Sequence, residues 1–224
     1  MSPSSPLLLQ DRAAAGRRLV EPLRHYAHRP DVIVLALPRG GVPVAYEVAM
    51  ALEVRLDLML VRKLGAPSNE EFALGAIASG GIQILNDHAL RAHPIDQATF
   101  DAVVAREKRE LLRREQAYRG TREPVPLKDQ VVILIDDGLA TGASMMAAIQ
   151  AVRLQAPSRI VVAVPVAPIE TVEALRSEVD ELICPVVPDW FMSLGHWYMD
   201  FSQTSDAEVI KLLQRAWQRE AGIE

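Results

Sequence analysis

The sequence predicts an α/β fold: a mainly parallel, twisted sheet flanked by helices, with a β-hairpin excursion and a small C-terminal hood. Three observations predict it. Apolar runs at 32–37, 56–61, 131–135 and 159–164 show little in-and-out alternation and are interspersed with helical composition, as strands covered on both faces are. Half of the 224 residues are apolar and 24% are charged, enough for one substantial core and unlike a disordered chain. The first three runs end in Pro38-Arg39-Gly40-Gly41, Arg62-Lys63 and Asp136-Asp137-Gly138. Right-handed crossovers would gather those ends on one sheet edge, where ligands bind in open α/β sheets.

The elements follow in order. After the strand at 32–37, residues 42–52 have helical composition, and a second strand at 56–61 leads into Arg62-Lys63. A long excursion occupies 65–130. Within it, 72–85 holds two β-like runs around Gly80-Gly81, a hairpin with a glycine turn. A helix is expected from about Asp96 to Tyr118, with Phe100, Val103, Val104, Leu111 and Tyr118 near one face. Its arginines alternate with Glu107, Glu110 and Glu115, the pattern of a solvated face with pairing of the Glu110–Arg114 type. The third strand, 131–135, precedes a helix at 143–155. The fourth, 159–164, precedes a helix at 169–179 and a short strand at 181–184. The whole chain, 1–224, reads as one domain, with a core at about 30–185 and a hood at about 186–205.

Charge and composition exclude several function classes. The net charge of −5 means that any anion site is a local cluster of donors and argues against nucleic acid as a partner. The apolar runs are far too short for a membrane span, and the first ten residues lack the basic segment of a secretory signal. A cytoplasmic protein is expected. The single cysteine, Cys184, follows Leu182-Ile183 and reads as a buried structural thiol. His196 belongs to no metal-ligand spacing, so no zinc site is expected.

The strongest chemical signal is the segment 131–144. A buried strand delivers Asp136 and Asp137 to its end, and Gly138, Leu139, Ala140, Thr141, Gly142, Ala143 and Ser144 then turn into a helix. Glycines let the backbone close on an anion. Amides from about Leu139 to Ser144 can converge on it at the helix N-terminus, with Thr141 and Ser144 adding hydroxyls. Adjacent carboxylates would repel a second anion but suit a vicinal diol. Phosphate plus diol describes a ribose 5-phosphate. The more ordinary reading is a strand–glycine–helix turn in which an aspartate caps the helix. The segment is not a Walker A loop, because no Lys precedes Ser144, and it is not a dinucleotide fingerprint, because acids stand where a pyrophosphate would lie. A receiver-like or phosphatase acid pair is disfavoured because these acids lie on the third core strand.

Taken whole, 131–144 resembles the phosphoribosyl diphosphate (PRPP) signature of the type I phosphoribosyltransferases: an apolar strand, two acids, a short loop, then Thr-Gly-x-Ser/Thr. The resemblance implies the type I phosphoribosyltransferase fold over roughly residues 30–185. It also implies that Asp136 and Asp137 face the ribose hydroxyls and that residues 140–144 hold the 5-phosphate. Hypoxanthine and guanine salvage enzymes carry an Asp just before Thr-Gly; this chain has Ala140, as adenine enzymes do, so no acid or base is available there.

Pro38-Arg39-Gly40-Gly41 resembles the family's pyrophosphate loop, which often holds a cis non-proline peptide. Alone it would pass as a β-turn with an exposed arginine. Arg62-Lys63 matches a basic pair frequent in adenine-type enzymes. Without context the pair reads equally as solvated; beside the other two motifs Arg62 and Lys63 become pyrophosphate contacts. The stretch from Gly65-Ala66-Pro67 through Ser68, Asn69, Glu70 and Glu71 sits where the family has a mobile loop that closes over the reaction and excludes water.

Five of the chain's eleven aromatics, Trp190, Phe191, Trp197, Tyr198 and Phe201, fall within twelve residues. Most are expected to pack the C-terminal segment onto the domain. The 197–201 run resembles hood segments that put an aromatic and an acid near the acceptor, which makes Trp197, Tyr198 and Asp200 the acceptor candidates.

The function implied is transfer of a 5-phosphoribosyl group from PRPP to a nitrogenous small molecule, a nucleobase by family analogy, with release of pyrophosphate. Arg39, Lys63, Asp136 and Asp137 are the catalytic candidates. Mg2+ is the implied cofactor, reached by Asp136 and Asp137 through water. A homodimer is the assembly considered. The alternative is a non-enzymatic PRPP- or nucleotide-sensing regulator on the same fold. Arg39-Gly40 and Arg62-Lys63, which would serve a leaving group, favour the enzyme.

Overall fold

The structure, a computed structural model, describes residues 8–66, 69–92 and 95–222. Its strands are β1 (Val32–Ala36), β2 (Arg55–Leu58), β3 (Val61–Ala66), β4 (Asn69–Ala78), β5 (Ile82–Leu85), β6 (Val131–Ile135), β7 (Arg159–Ala163) and β8 (Glu181–Ile183). Its α-helices are α1 (Arg12–Leu23), α2 (Gly41–Leu52), α3 (Asp87–Ala92), α4 (Gln97–Arg119), α5 (Ala143–Arg153), α6 (Ile169–Arg176) and α7 (Asp206–Glu220).

Five strands form a sheet in the order β2-β1-β6-β7-β8, and every pairing in it is parallel. Side chains alternate between its faces. Val32, Val34 and Ala36 join Val131, Ile133 and Ile135 in one core, with Leu19 and Leu23 of α1, Val48 of α2 and Leu213 of α7. Ile33 and Leu35 join Val132 and Leu134 in the other, with Met145 and Ile149 of α5 and Leu175 of α6. Both faces are covered, which is why these strands read as unbroken apolar runs.

The excursion forms a second sheet, antiparallel, in the order β3-β4-β5. The hairpin around Gly80-Gly81 is present, both glycines at positive φ (79° and 72°). The helix expected from Asp96 is α4, with the Asp96 side chain accepting from the Thr99 amide at 2.9 Å. Glu110 pairs with both Arg113 and Arg114.

Three expectations change. The second parallel strand stops at Leu58. The Met59 amide makes a last bond to the Ala36 carbonyl, and Ser79 then captures Leu60 through its amide and hydroxyl. Val61 therefore begins an antiparallel ladder opposite Ala78, and Arg62-Lys63 lie inside β3. Gly65 and Ala66 end β3, and residues 69–71 start β4, so strand backbone occupies much of the stretch expected as a mobile loop. Pro67 and Ser68 lie outside the described residues. Finally, helices flank the hood at both chain ends: α1 and α7 were not expected. No helix among the described residues is long and apolar enough to cross a membrane.

Candidate active site

β1 and β6 are neighbours, with Ala36 opposite Ile135. The Leu37 amide still reaches the Ile135 carbonyl at 2.9 Å, so the loops after the two strands lie side by side at one sheet edge. Their fit is too tight for side chains. A Cβ on Gly40 would stand 2.0 Å from Asp137 Oδ2, and one on Gly41 would stand 2.8 Å from the Ile135 carbonyl oxygen. The Pro38–Arg39 peptide is cis, as the resemblance implied. The Gly41 amide bonds to the Leu37 carbonyl, so Gly41 gives this loop closeness of approach and no free donor. The amides of Arg39 and Gly40 have no protein acceptor among the described residues.

The second loop is an amide cradle. Gly142 precedes α5 in a left-handed conformation, φ 71°, and a Cβ there would stand 2.7 Å from Thr171 Cγ2. The loop is pinned from behind: Thr171 Oγ1 donates to the Ala140 carbonyl at 2.6 Å. The amides of Ala140, Thr141, Gly142, Ser144 and Met145 have no protein acceptor among the described residues, and Ala140, Thr141, Ala143 and Ser144 are exposed. Backbone amides without acceptors at a helix N-terminus are an arrangement that favours an anion. Leu139 is a correction. Its amide bonds to the Val166 carbonyl at 3.0 Å and its side chain is buried, so it anchors the loop from below. Gly138 has φ 146°, and a Cβ there would collide with Leu194 Cδ2 at 2.3 Å, so it seats the hood and offers a ligand no side chain.

The two acids occupy different places. Asp136 is partly open, and its Oδ1 accepts from the Asp137 amide at 2.8 Å. Burial, then the neighbouring Asp137, hold its carboxyl well above the usual carboxylate range. Asp137 is buried, and its Oδ2 accepts from Arg12 Nε at 2.7 Å. Arg12 opens α1, donates to the Ser202 carbonyl at 2.6 Å and stacks 4.1 Å over the Phe201 ring. The carboxylate expected to share the ribose diol is thus engaged by an arginine that sequence reasoning missed.

Tyr198 is corrected as well. Its hydroxyl donates to the Asp137 carbonyl and its ring is buried beside Phe201, so it struts the acid loop and is not free for an acceptor. Burial holds its phenol far above the usual range. The hood and the N-terminal segment are tied together: Leu9 bridges to Tyr198, and the Asp200 amide bonds to the Gln10 carbonyl at 2.9 Å. Trp197 packs in the hood, with its indole Nε1 buried and without a partner among the described residues. Asp200 is exposed and lines a cavity of about 220 Å³ with Asp11, Arg12, Thr204 and Glu208.

The basic candidates are dispersed. Arg39 lies 3.6 Å from Asp206 Oδ1 at the start of α7, and Asp206 also accepts from the Tyr118 hydroxyl. Arg62 is held by Glu107 of α4 at 2.5 Å. Glu107, expected on a solvated face, is buried because it serves Arg62 and Arg106 together. Lys63 is exposed on β3 and shares a groove with Arg62 and Arg106. Cys184 donates to the Val186 carbonyl, and burial pushes its thiol up to about 11, which removes it as a nucleophile.

An all-parallel sheet with an amide-rich glycine loop, an acid pair and an arginine–glycine loop on its C-terminal edge is an α/β fold of the kind that binds ligands there. Comparison with known proteins assigns it further. The sequence profile of the phosphoribosyl transferase domain matches residues 8–201, and the chain belongs to that family. It is 43% identical over 209 residues to a provisionally named phosphoribosyl transferase of Mycobacterium tuberculosis, found in strains CDC 1551 and H37Rv. The match covers 93% of this chain and 47% of those proteins, so the chain spans about half the length of the curated relatives it matches. The crystal structure of TT1426 from Thermus thermophilus superposes with a TM-score of 0.82 at 44% identity, covering 93% of this chain and 98% of that one. The AQ2163 protein of Aquifex aeolicus shares the fold at 12% identity, TM-score 0.50, over 82% of this chain and 76% of that one.

Proposed function

We propose that this chain transfers the 5-phosphoribosyl group of PRPP to a nitrogenous small-molecule acceptor of the nucleobase kind and releases pyrophosphate. The observation that carries the reading is the contact of two loops at one sheet edge: the Arg39-Gly40-Gly41 turn packs on Asp136 and Asp137, the acids that lead into the acceptor-free amides of 140, 141, 142, 144 and 145. The cradle takes the 5-phosphate, with Thr141 and Ser144 adding hydroxyl donors. Asp136 accepts from the ribose diol. Arg39 and the open amides beside it, with Lys63, take charge that builds on the leaving pyrophosphate.

The bond from the anomeric carbon to the pyrophosphate oxygen breaks, and the acceptor nitrogen forms the new bond at that carbon, its proton passing to solvent. The transition state has oxocarbenium character, so positioning and charge stabilisation suffice without a covalent nucleophile. Mg2+ suits this donor set. The ion keeps several waters and binds through one or two carboxylates plus substrate phosphates. Asp136 would reach it through water, and when bound it would neutralise pyrophosphate charge. Among the described residues no group of three or more His, Cys, Asp or Glu could hold a metal by itself, consistent with an ion that arrives with its phosphates.

The test is pyrophosphate release from PRPP and Mg2+ against a panel of bases and amines. Product with at least one acceptor is expected. PRPP binding with no product from any acceptor would replace the enzyme with a PRPP-sensing protein.

A further inference from the structure

We infer that Asp137 and Arg12 are positioning residues for the pyrophosphate loop and that Asp136 alone accepts the ribose diol. The inference rests on the donor-site reading above and divides a pair that the sequence treats as equivalent. The Asp137 carboxylate lies across Gly40, where even a Cβ would come within 2.0 Å of Oδ2 and 3.1 Å of Oδ1. Arg12 fixes it there at 2.7 Å, and the side chains of both residues are 12% exposed. Arg12 is itself held on three sides, by Asp137, the Ser202 carbonyl and the face of Phe201. The Tyr198 hydroxyl holds the Asp137 main chain.

The chain of contacts therefore runs from hood to Arg12, to Asp137, to Gly40, and ends at the loop offered to pyrophosphate. Asp137 commits Oδ2 to the Arg12 guanidinium and packs both carboxylate oxygens against Gly40, so its place is set by the loop it supports. Asp136 has no such partner among the described residues and is the more open of the two. Loss of Arg12 would free Asp137 to swing, unseating Gly40 while leaving the 5-phosphate cradle, pinned by Thr171, in place.

The division is read with two probes, Mg2+–pyrophosphate and ribose 5-phosphate, titrated calorimetrically into wild type, Arg12→Gln, Arg12→Lys, Asp137→Asn and Asp136→Asn. Arg12→Gln and Asp137→Asn should weaken pyrophosphate about tenfold or more and ribose 5-phosphate less than about twofold. Asp136→Asn should weaken ribose 5-phosphate about tenfold or more, with a smaller loss for Mg2+–pyrophosphate through the water-held ion. Arg12→Lys keeps the charge without the fork and should recover part of the pyrophosphate affinity. Phe201→Leu, which removes only the stacking partner, should show the same asymmetry more weakly and serves if Arg12→Gln does not fold. If Asp137→Asn weakens ribose 5-phosphate as much as Asp136→Asn does, or if the Arg12 and Phe201 variants bind pyrophosphate like wild type, the inference is overturned. Wild type binding neither probe would overturn the donor-site reading itself, a result distinct from equal losses among the variants.

Discussion

Gly40 and Asp137 are in contact across the two loops of the site, so closely that the glycine has no room for a methyl group: an added Cβ would stand 2.0 Å from the carboxylate oxygen. Gly40→Ala must therefore push Asp137 off Arg12 or lift the loop. Mg2+–pyrophosphate affinity should fall at least about tenfold, while far-UV circular dichroism stays that of wild type. Unchanged affinity in a folded variant would mean that the loop is not the pyrophosphate seat.

The cradle makes a separate expectation. Thr141→Val removes a hydroxyl from an exposed loop, and with it a long contact at 3.5 Å from the Ala143 amide. A hydrogen bond to a charged group contributes about 1.5–3 kcal/mol, so ribose 5-phosphate should bind about tenfold or more weakly with little change in melting temperature. Gly142→Ala differs, because φ is 71° and Thr171 Cγ2 would lie 2.7 Å from the new carbon. That variant should lose stability by about 1–3 kcal/mol as well as phosphate affinity. Equal stability of the two variants would contradict the geometry.

A third expectation concerns the fold. Arg119, at the end of α4, donates to Asp57 of β2 at 2.9 Å, and both side chains are almost fully buried (4% and 2% exposed). Asp57 also accepts from the Leu58 and Val125 amides. Asp57→Ala takes the Nε partner from a buried guanidinium, which keeps Glu115 and the Leu58 carbonyl, at a cost of about 1–3 kcal/mol. Urea denaturation measures it, and a loss below about 1 kcal/mol would show that water replaces the carboxylate.

Cys184 supplies the pH test. Its thiol is pushed up to about 11 from an ordinary value of 9.0. The reactive species is the thiolate, so at pH 8 the folded chain should alkylate about 100-fold more slowly than the unfolded chain. For a raised thiol the sign is that the difference is full below the unfolded value and closes as pH climbs through the folded one. Equal rates in folded and denatured protein at pH 8 would place Cys184 at the surface.

Much of this architecture was legible. The strand at 131–135 was readable to the residue, because a strand buried on both faces is an unbroken apolar run, here bounded by the polar Gln130 and Asp136. The break between β2 and β3 was not. The apolar run continues through Met59-Leu60, and what ends it is Ser79, nineteen residues away, which holds Leu60. Helix α7 was legible but overlooked: Ser205 and Glu208 form the start of a capping box, followed by Val209, Leu213 and Ala216 at helical spacing. Arg12 had no local signal. It lies 125 residues from Asp137, and tertiary contacts bring it over the site: the Leu9–Tyr198 bridge, the Gln10–Asp200 bond and the packing of α1 in the core.

The central claim, a PRPP donor site built on the segment that ends in Asp136 and Ser144, is tested most directly by calorimetric titration of PRPP with Mg2+. Wild type is compared with the Asp136→Asn, Asp137→Asn double variant. Wild type should bind, and the double variant should bind at least about tenfold more weakly while remaining folded. Equal PRPP affinity in the two proteins would contradict the account.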